Sequence, residues 1–355
     1  MQSSVLIDVL HEATWDRMVE VHPRATVFHS RGWLEALSRT YGYQAMALCS
    51  PSWSGDVANV FVFSVVRSRW TGTRLVSLPF SDHCDPLVTE PRELENLLEA
   101  LPAAAPGLAR HSRYTEFRPL SAELDEVFDE SGRWGPYRRY VFHELDLREG
   151  SRAVYDRFHK DCVQRKIRRA EREKLVCSRS FGGTDDALLD DFYALFSRHR
   201  QRLGIPPQPR SWFRNLQGCL GSACRIRVAR KGKRPVGAIM TLTFRDRCVF
   251  KYGASNPEGN RMGAMQMLLW EAIREACDDG CVAFDMGRTD LVQEGLAEFK
   301  DRWGARRMPL TYYQYPPPQS VSDSPWRRRF SKSIGPRVPL PVLELAGRWI
   351  YRHIG

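Results

Sequence analysis

Several clusters of polar side chains have the types and spacing to do chemistry. The stretch F-D-M-G-R-T-D (284–290) places Asp285, Arg288 and Asp290 after an apolar run, with Gly287 offering a turn that would send all three into one cleft. Either carboxylate could accept a proton, directly or through water, while the guanidinium could hold a carboxylate or phosphate through two parallel hydrogen bonds. In F-K-Y-G-A-S (250–255), Lys251 could hold a phosphate and Tyr252 could deliver a proton. Strand alternation would send these two to opposite faces, so only one would line the cleft. Lys300, within E-F-K-D-R-W-G (298–304), is a further candidate cation. Q-R-K-I-R-R-A (164–170) sets Arg165, Arg168 and Arg169, with Arg172 beyond, around a helix whose one strong apolar anchor is Ile167. Such a surface suits a phosphate-rich ligand. Asp82 and His83 follow the apolar run L-V-S-L-P-F (75–80). A structural reading stands beside each: Asp285 capping a loop and pairing with Arg288, Tyr252 as a core tyrosine, Lys300 on a helix surface, and the basic helix as a solvated face.

The elements that must position these groups follow from periodicity. β-branched and aromatic runs at 43–48, 57–66 and 73–78, broken by turn residues, suggest a three-stranded meander. A helix at 91–101 and strands at 113–118 and 139–147 complete a first α/β unit over 1–148. The second unit, 149–315, opens with a helix from Ser151 to Lys174 and continues with a strand at 175–181 and helices at 185–203 and 211–220. Strands at 225–230, 235–244 and 247–252 come next. A helix at 262–278, a strand at 281–286, a short helix near 296–303 and a strand at 308–315 follow. Residues 316–355 form a Pro-rich break and a basic tail.

With 355 residues the chain has room for about two domains. Its 43% hydrophobic and 27% charged residues exclude a mainly disordered, collagenous or disulfide-stapled protein. Nine cysteines without a CxxC pair support neither a disulfide framework nor a zinc site, and no metal is expected. Apolar runs are too short to span a bilayer and the first residues do not read as a leader, so a cytoplasmic chain is expected. The net charge of +11 is concentrated: 152–179 carries ten basic residues against four acids, and 322–355 carries seven against two. The excess is aimed at an anionic partner. Few aromatics are interleaved with the basic helix at 164–172, so sequence-specific reading of single-stranded RNA is not supported. No DNA partner is expected.

The motifs quoted above, with R-H-R-Q-R-L-G-I-P-P-Q-P (198–209) and L-L-W-E-A-I (268–273), together and in this order resemble the FemAB-like branch of the GNAT acyltransferase superfamily. That branch includes CelD-like proteins and the FemAB-like proteins of exopolysaccharide and exosortase systems. L-V-S-L-P-F-S-D-H (75–83) and the ending V-P-L-P-V-L-E-L-A-G-R-W-I-Y-R-H-I-G (338–355) are similar to the same branch. The resemblance implies an α/β (α+β) fold of two GNAT-like modules side by side, each a mostly antiparallel sheet flanked by helices. It also implies transfer of an acyl or aminoacyl group to an amine of a cell-envelope glycan or of its lipid- or nucleotide-linked precursor. In that setting Asp285 or Asp290 would be the base and Tyr252 a proton donor. Arg288, Lys251, Lys300, Arg165, Arg168 and Asp82 would bind substrate, and Arg261 and Gly263 the donor.

Acyl-CoA binders of the superfamily carry Q/R-x-x-G-x-G/A where a helix start holds the donor's pyrophosphate. Here the stretch reads G-N-R-M-G-A-M (259–265), with Gly263 in place and Met265 where a second small residue should fall. The donor is therefore read as acyl-CoA (acetyl-CoA), with aminoacyl-tRNA as the alternative. A third reading is a non-catalytic module that binds an anionic glycolipid in polysaccharide export. The tail, with Trp326-Arg327-Arg328-Arg329-Phe330 and residues 340–354, has the mix of a segment that lies in a membrane interface, with docking on the protein itself as the competitor. Pro339 and Pro341 argue there against a long helix.

Overall fold

The computed structural model describes residues 4–50, 59–70, 72–130, 133–180, 182–318 and 337–354. Among these the strands are β1 (Val5–Asp8), β2 (Gln44–Cys49), β3 (Val60–Ser68), β4 (Gly72–Val76), β5 (Ser112–Phe117), β6 (Gly135–Asp146), β7 (Val176–Arg179), β8 (Cys224–Lys231), β9 (Arg234–Phe244), β10 (Arg247–Ser255), β11 (Ala283–Asp290) and β12 (Arg306–Tyr315). Contacts divide the described residues into two compact units. One holds 4–140, 309–318 and 349–354, and the other 141–308 and 337–348. The division thus falls at Tyr140 rather than at 148, and the chain returns to the first unit at Pro309 and again at Trp349.

In the first unit β1 to β4 form an antiparallel meander, β4 pairs with β5 in parallel, and β5 pairs with β12 antiparallel. The central run Val60–Val66 is buried throughout, as a strand covered on both faces must be. Its core stacks Phe61 on Phe117 at 4.4 Å between ring centroids and Phe128 on Tyr313 at 4.7 Å. The helix Arg31–Tyr41 is fixed at both ends by local chemistry. The Ser30 hydroxyl accepts the Trp33 N–H, and Gly42 ends the helix in the left-handed region at φ 72°.

His29 is fully buried in this unit. Its Nδ1 accepts the Thr26 N–H, so its Nε2–H donates to the Asp85 carbonyl at 3.0 Å, and burial pushes its pKa down to about 4. The unfolded chain takes up that proton near pH 6.5 and the folded one does not, so this contribution is complete above pH 6.5 and lost as pH falls towards 4. Between pH 7 and 5 it amounts to about 2 kcal/mol. The urea midpoint is expected to fall over that window and to fall less in His29→Gln. An identical pH slope in the two proteins contradicts this.

The second unit has the sheet order β11-β10-β9-β8-β7. β7 to β10 are antiparallel neighbours, and β10 and β11 run parallel. The expected single helix from Ser151 to Lys174 is interrupted. A helix Gly150–Asp156 ends, a π-turn Lys160–Gln164 follows, and the helix Arg165–Arg172 continues from it. The break has a cause: the His159 Nδ1 accepts the N–H groups of Asp161 and Cys162 and restarts the helix. The expected helix 262–278 runs Ala264–Asp278, and a separate short helix, Pro257–Met262, precedes it across Gly263 at φ 83°. Its core gathers Phe158, Ile167, Leu268, Ile273, Phe284 and Trp303.

The sequence-based limit on a C-terminal helix is corrected by the helix Leu340–Ile354. Pro341 sits in its first turn, where a missing N–H costs nothing. The Trp326–Phe330 part of the tail lies outside the described residues. No helix among the described residues is long and apolar enough to cross a membrane. All nine cysteines are free thiols, and burial pushes Cys84, Cys224 and Cys248 up to about 12, which leaves them inert.

Candidate functional site

The parallel ladder between β10 and β11 is short. It runs from Arg247 opposite Ala283 to Val249 opposite Asp285 and then stops. Beyond that point β10 stays with β9 as far as Ser255 opposite Gly237, through a register shift between Phe250 and Tyr252. β11 meanwhile continues to Asp290. A wedge therefore opens between Phe250–Ser255 and Met286–Asp290, and the edge of β10 that faces it offers main-chain groups to a ligand. Lys251 and Tyr252 lie on the first of these two segments and Arg288 on the second, and Asp285 sits at the last paired rung.

The residues do not follow β11 on a loop, as expected, but lie within the strand, with Gly287 at φ 72° turning it locally. Asp285 is buried, and its carboxylate accepts the Gly287 N–H at 2.6 Å. Arg288 is half-buried, and Asp290 is exposed at the strand end. Lys300 departs from its expected role. It is 4% exposed, and its ammonium donates to the carbonyls of Gly287 at 2.8 Å and Arg288 at 3.1 Å. It thus fixes the backbone beneath Arg288 and is not presented to substrate. The same ammonium helps burial hold His143 neutral, with its pKa down to about 4.

Strict alternation between Lys251 and Tyr252 is also corrected. The register shift at Phe250/Tyr252 takes Lys251 out of the pleat, and its ammonium lies 5.7 Å from the Tyr252 ring centroid. Tyr252 is held by an aromatic box of Phe196 and Phe213, and its hydroxyl accepts the Trp212 indole N–H at 2.9 Å. Trp212 was not singled out from the sequence. The only signal was its place in S-W-F (211–213), immediately after the Pro-rich loop.

The start of the helix Ala264–Asp278 belongs to the same region, because Met265 packs on β10: a Cβ added to Gly253 would sit 3.3 Å from its terminal methyl. The first bond inside this helix runs from the Met267 N–H to the Gly263 carbonyl, so the amides of Ala264, Met265 and Gln266 point ahead of it. Gly263 itself is accounted for by packing. A Cβ there would run into the carbonyl oxygen of Lys166, well inside van der Waals contact. Arg261 is exposed in the last turn of the preceding helix.

The helix Arg165–Arg172 buries Ile167 and Ala170 and exposes Arg165, Lys166, Arg168, Arg169 and Arg172. Arg165 lies 3.3 Å from Asp161, both side chains well exposed, so this pair contributes little. In the first unit Asp82 is half-buried, and its carbonyl accepts the Tyr312 hydroxyl. The loop it ends is strained, with Leu78 at φ 27° and Phe80 at φ 63°. Arg118 holds that loop by donating to the carbonyls of Leu78 and Ser81 while paired with buried Glu116 at 2.8 Å. Among the described residues no group of three or more His, Cys, Asp or Glu side chains could hold a metal ion.

Residues 157–301, which contain the whole wedge, match the acetyltransferase (GNAT) domain family. The matched segment of the second unit is similar to that domain. A structure of FemX matches the chain with a TM-score of 0.67 and 13% identity, over 89% of this chain and 97% of that one. L-PGS from Bacillus licheniformis matches at 0.53 and 15%, over 85% and 92%. A tandem GNAT protein from the clavulanic acid biosynthesis pathway matches at 0.53 and 11%, over 90% and 99%. At such identities the likeness is one of fold, and the fold is that of the FemAB-like branch, with two GNAT-like modules. A search of curated proteins finds no match to the chain.

Proposed function

We propose that the GNAT domain transfers an acyl group from acyl-CoA to an amine of a cell-envelope glycan or of its lipid- or nucleotide-linked precursor. The observation that carries this reading is the wedge between β10 and β11, with Lys251, Tyr252 and Arg288 in the segments that flank it and Asp285 at the last paired rung. The open edge of β10 would hold the donor's amide-bearing arm and its thioester oxygen. The amides of 264–266 and the positive end of that helix would take the pyrophosphate, with Arg261 beside them.

At the other side of the thioester the acceptor amine must lose a proton. Asp285 has one oxygen committed to the Gly287 N–H and shapes the turn, so Asp290, exposed at the strand end, takes the proton through water. Arg288, seated over Lys300, clamps the acceptor's phosphate or carboxylate. Tyr252, fixed by Trp212, returns a proton to the leaving thiolate. A lipid-linked acceptor would be met at the inner leaflet of the cytoplasmic membrane, with the chain on its cytoplasmic side.

The exposed cationic face of Arg165–Arg172 favours one second reading, an aminoacyl-tRNA donor. Heat-shift measurements separate the two, because a ligand bound only by the native state raises the melting temperature. Acetyl-CoA is expected to raise it, and charged tRNA is not. A shift with charged tRNA that disappears in Arg165→Glu with Arg168→Glu would exchange the donors, and no shift with either would leave the binding-module reading.

A further inference from the structure

The β3–β4 hairpin and the C-terminal helix bring two tryptophans together on the surface of the first unit. Trp70 and Trp349 meet edge to face with 4.0 Å between ring centroids, and the His353 ring stacks on Trp70 at 5.8 Å. Despite that contact Trp70 is 66% exposed and Trp349 47%. Large aromatics left in water at this level are an expense that a folded chain avoids unless something covers them. The helix that carries Trp349 has a buried side as well, since Tyr351 is buried and its carbonyl accepts the Tyr43 hydroxyl.

Charge says what the cover is. Exposed arginines surround the pair: Arg67 and Arg69 on the hairpin, Arg113 packed beside Gly72, and Arg352 one turn beyond Trp349. Arg67 donates to the neutral Gln44 side chain. Indole rings with one apolar and one wet side, ringed by guanidinium groups on apolar stems, match the headgroup layer of an anionic bilayer. A second protein surface would be expected to answer the arginines with carboxylates, and a second copy of this patch would bring like charges together.

We propose that Trp70 and Trp349, with Arg67, Arg69, Arg113 and Arg352, form a docking patch for the surface of an anionic lipid bilayer. The proposal rests on the reading above only for the acceptor's location, and names the surface that meets the leaflet. The test is co-sedimentation of the full chain with vesicles of phosphatidylcholine alone or with added phosphatidylglycerol. The chain is expected to bind the phosphatidylglycerol vesicles, less so as salt rises. Trp70→Ser with Trp349→Ser, and separately Arg69→Glu with Arg113→Glu, should each weaken binding about tenfold. Both pairs are exposed, so the fold should persist, and acetyl-CoA turnover on a soluble amine, run in parallel, should be unchanged. That readout separates failure of the patch from failure of the acyltransfer reading. No binding by the wild-type chain, or equal binding by all three proteins, overturns the proposal. So does a dimer in sedimentation velocity that the tryptophan pair alone abolishes.

Discussion

Gly263→Ala is expected to destabilise the second unit by about 3–5 kcal/mol, the sum of left-handed strain and a backbone clash. Gly263 holds φ 83°, and its Cα faces the carbonyl oxygen of Lys166, which belongs to a helix and cannot retreat without breaking its own packing. A residue whose only task is to let the donor's pyrophosphate approach would instead raise the KM for acyl-CoA and leave the melting temperature alone. A fall of many degrees in the melting midpoint, measured without ligand, is the expected result. An unchanged midpoint with a raised KM would return Gly263 to donor binding.

Arg288→Ala is expected to lower kcat/KM for an anionic acceptor by about 10²-fold, the worth of one charge-assisted clamp, with little loss of stability. The reason is its setting. Lys300 ties the carbonyls of Gly287 and Arg288, so the backbone stays in place when the guanidinium is removed. Asp290→Asn is the companion measurement, and it should remove the acidic limb of the pH–rate profile. If that limb persists, the base lies elsewhere and Asp285 is next. Unaltered kinetics in a folded Arg288→Ala would remove Arg288 from the site.

The order of helices and strands in the second unit was legible because each element carries its own period and turn residues. F-D-M-G-R-T-D and F-K-Y-G-A-S, both singled out by residue type, fall on the wedge. What the sequence did not disclose depends on the partner strand or helix. That β10 and β11 part after Val249 and Asp285 is a property of the pair, and the shift that puts Lys251 and Tyr252 together exists only in register with β9. Lys300 reads as a surface lysine until the carbonyls of β11 are placed above it. The restart at His159 was missed because a ring nitrogen, not a serine or aspartate, accepts the capping N–H groups. The helix Arg31–Tyr41, by contrast, had Ser30 and Gly42 at its ends and could have been read.

Hydrogen exchange of the full chain with and without acetyl-CoA tests the central claim most directly, because a ligand seated in the wedge slows exchange in the strands that flank it. Protection is expected in peptides covering 250–255, 264–268 and 285–290, with the first unit unchanged. Protection confined to residues 4–140, or none at saturating acetyl-CoA, would contradict the account.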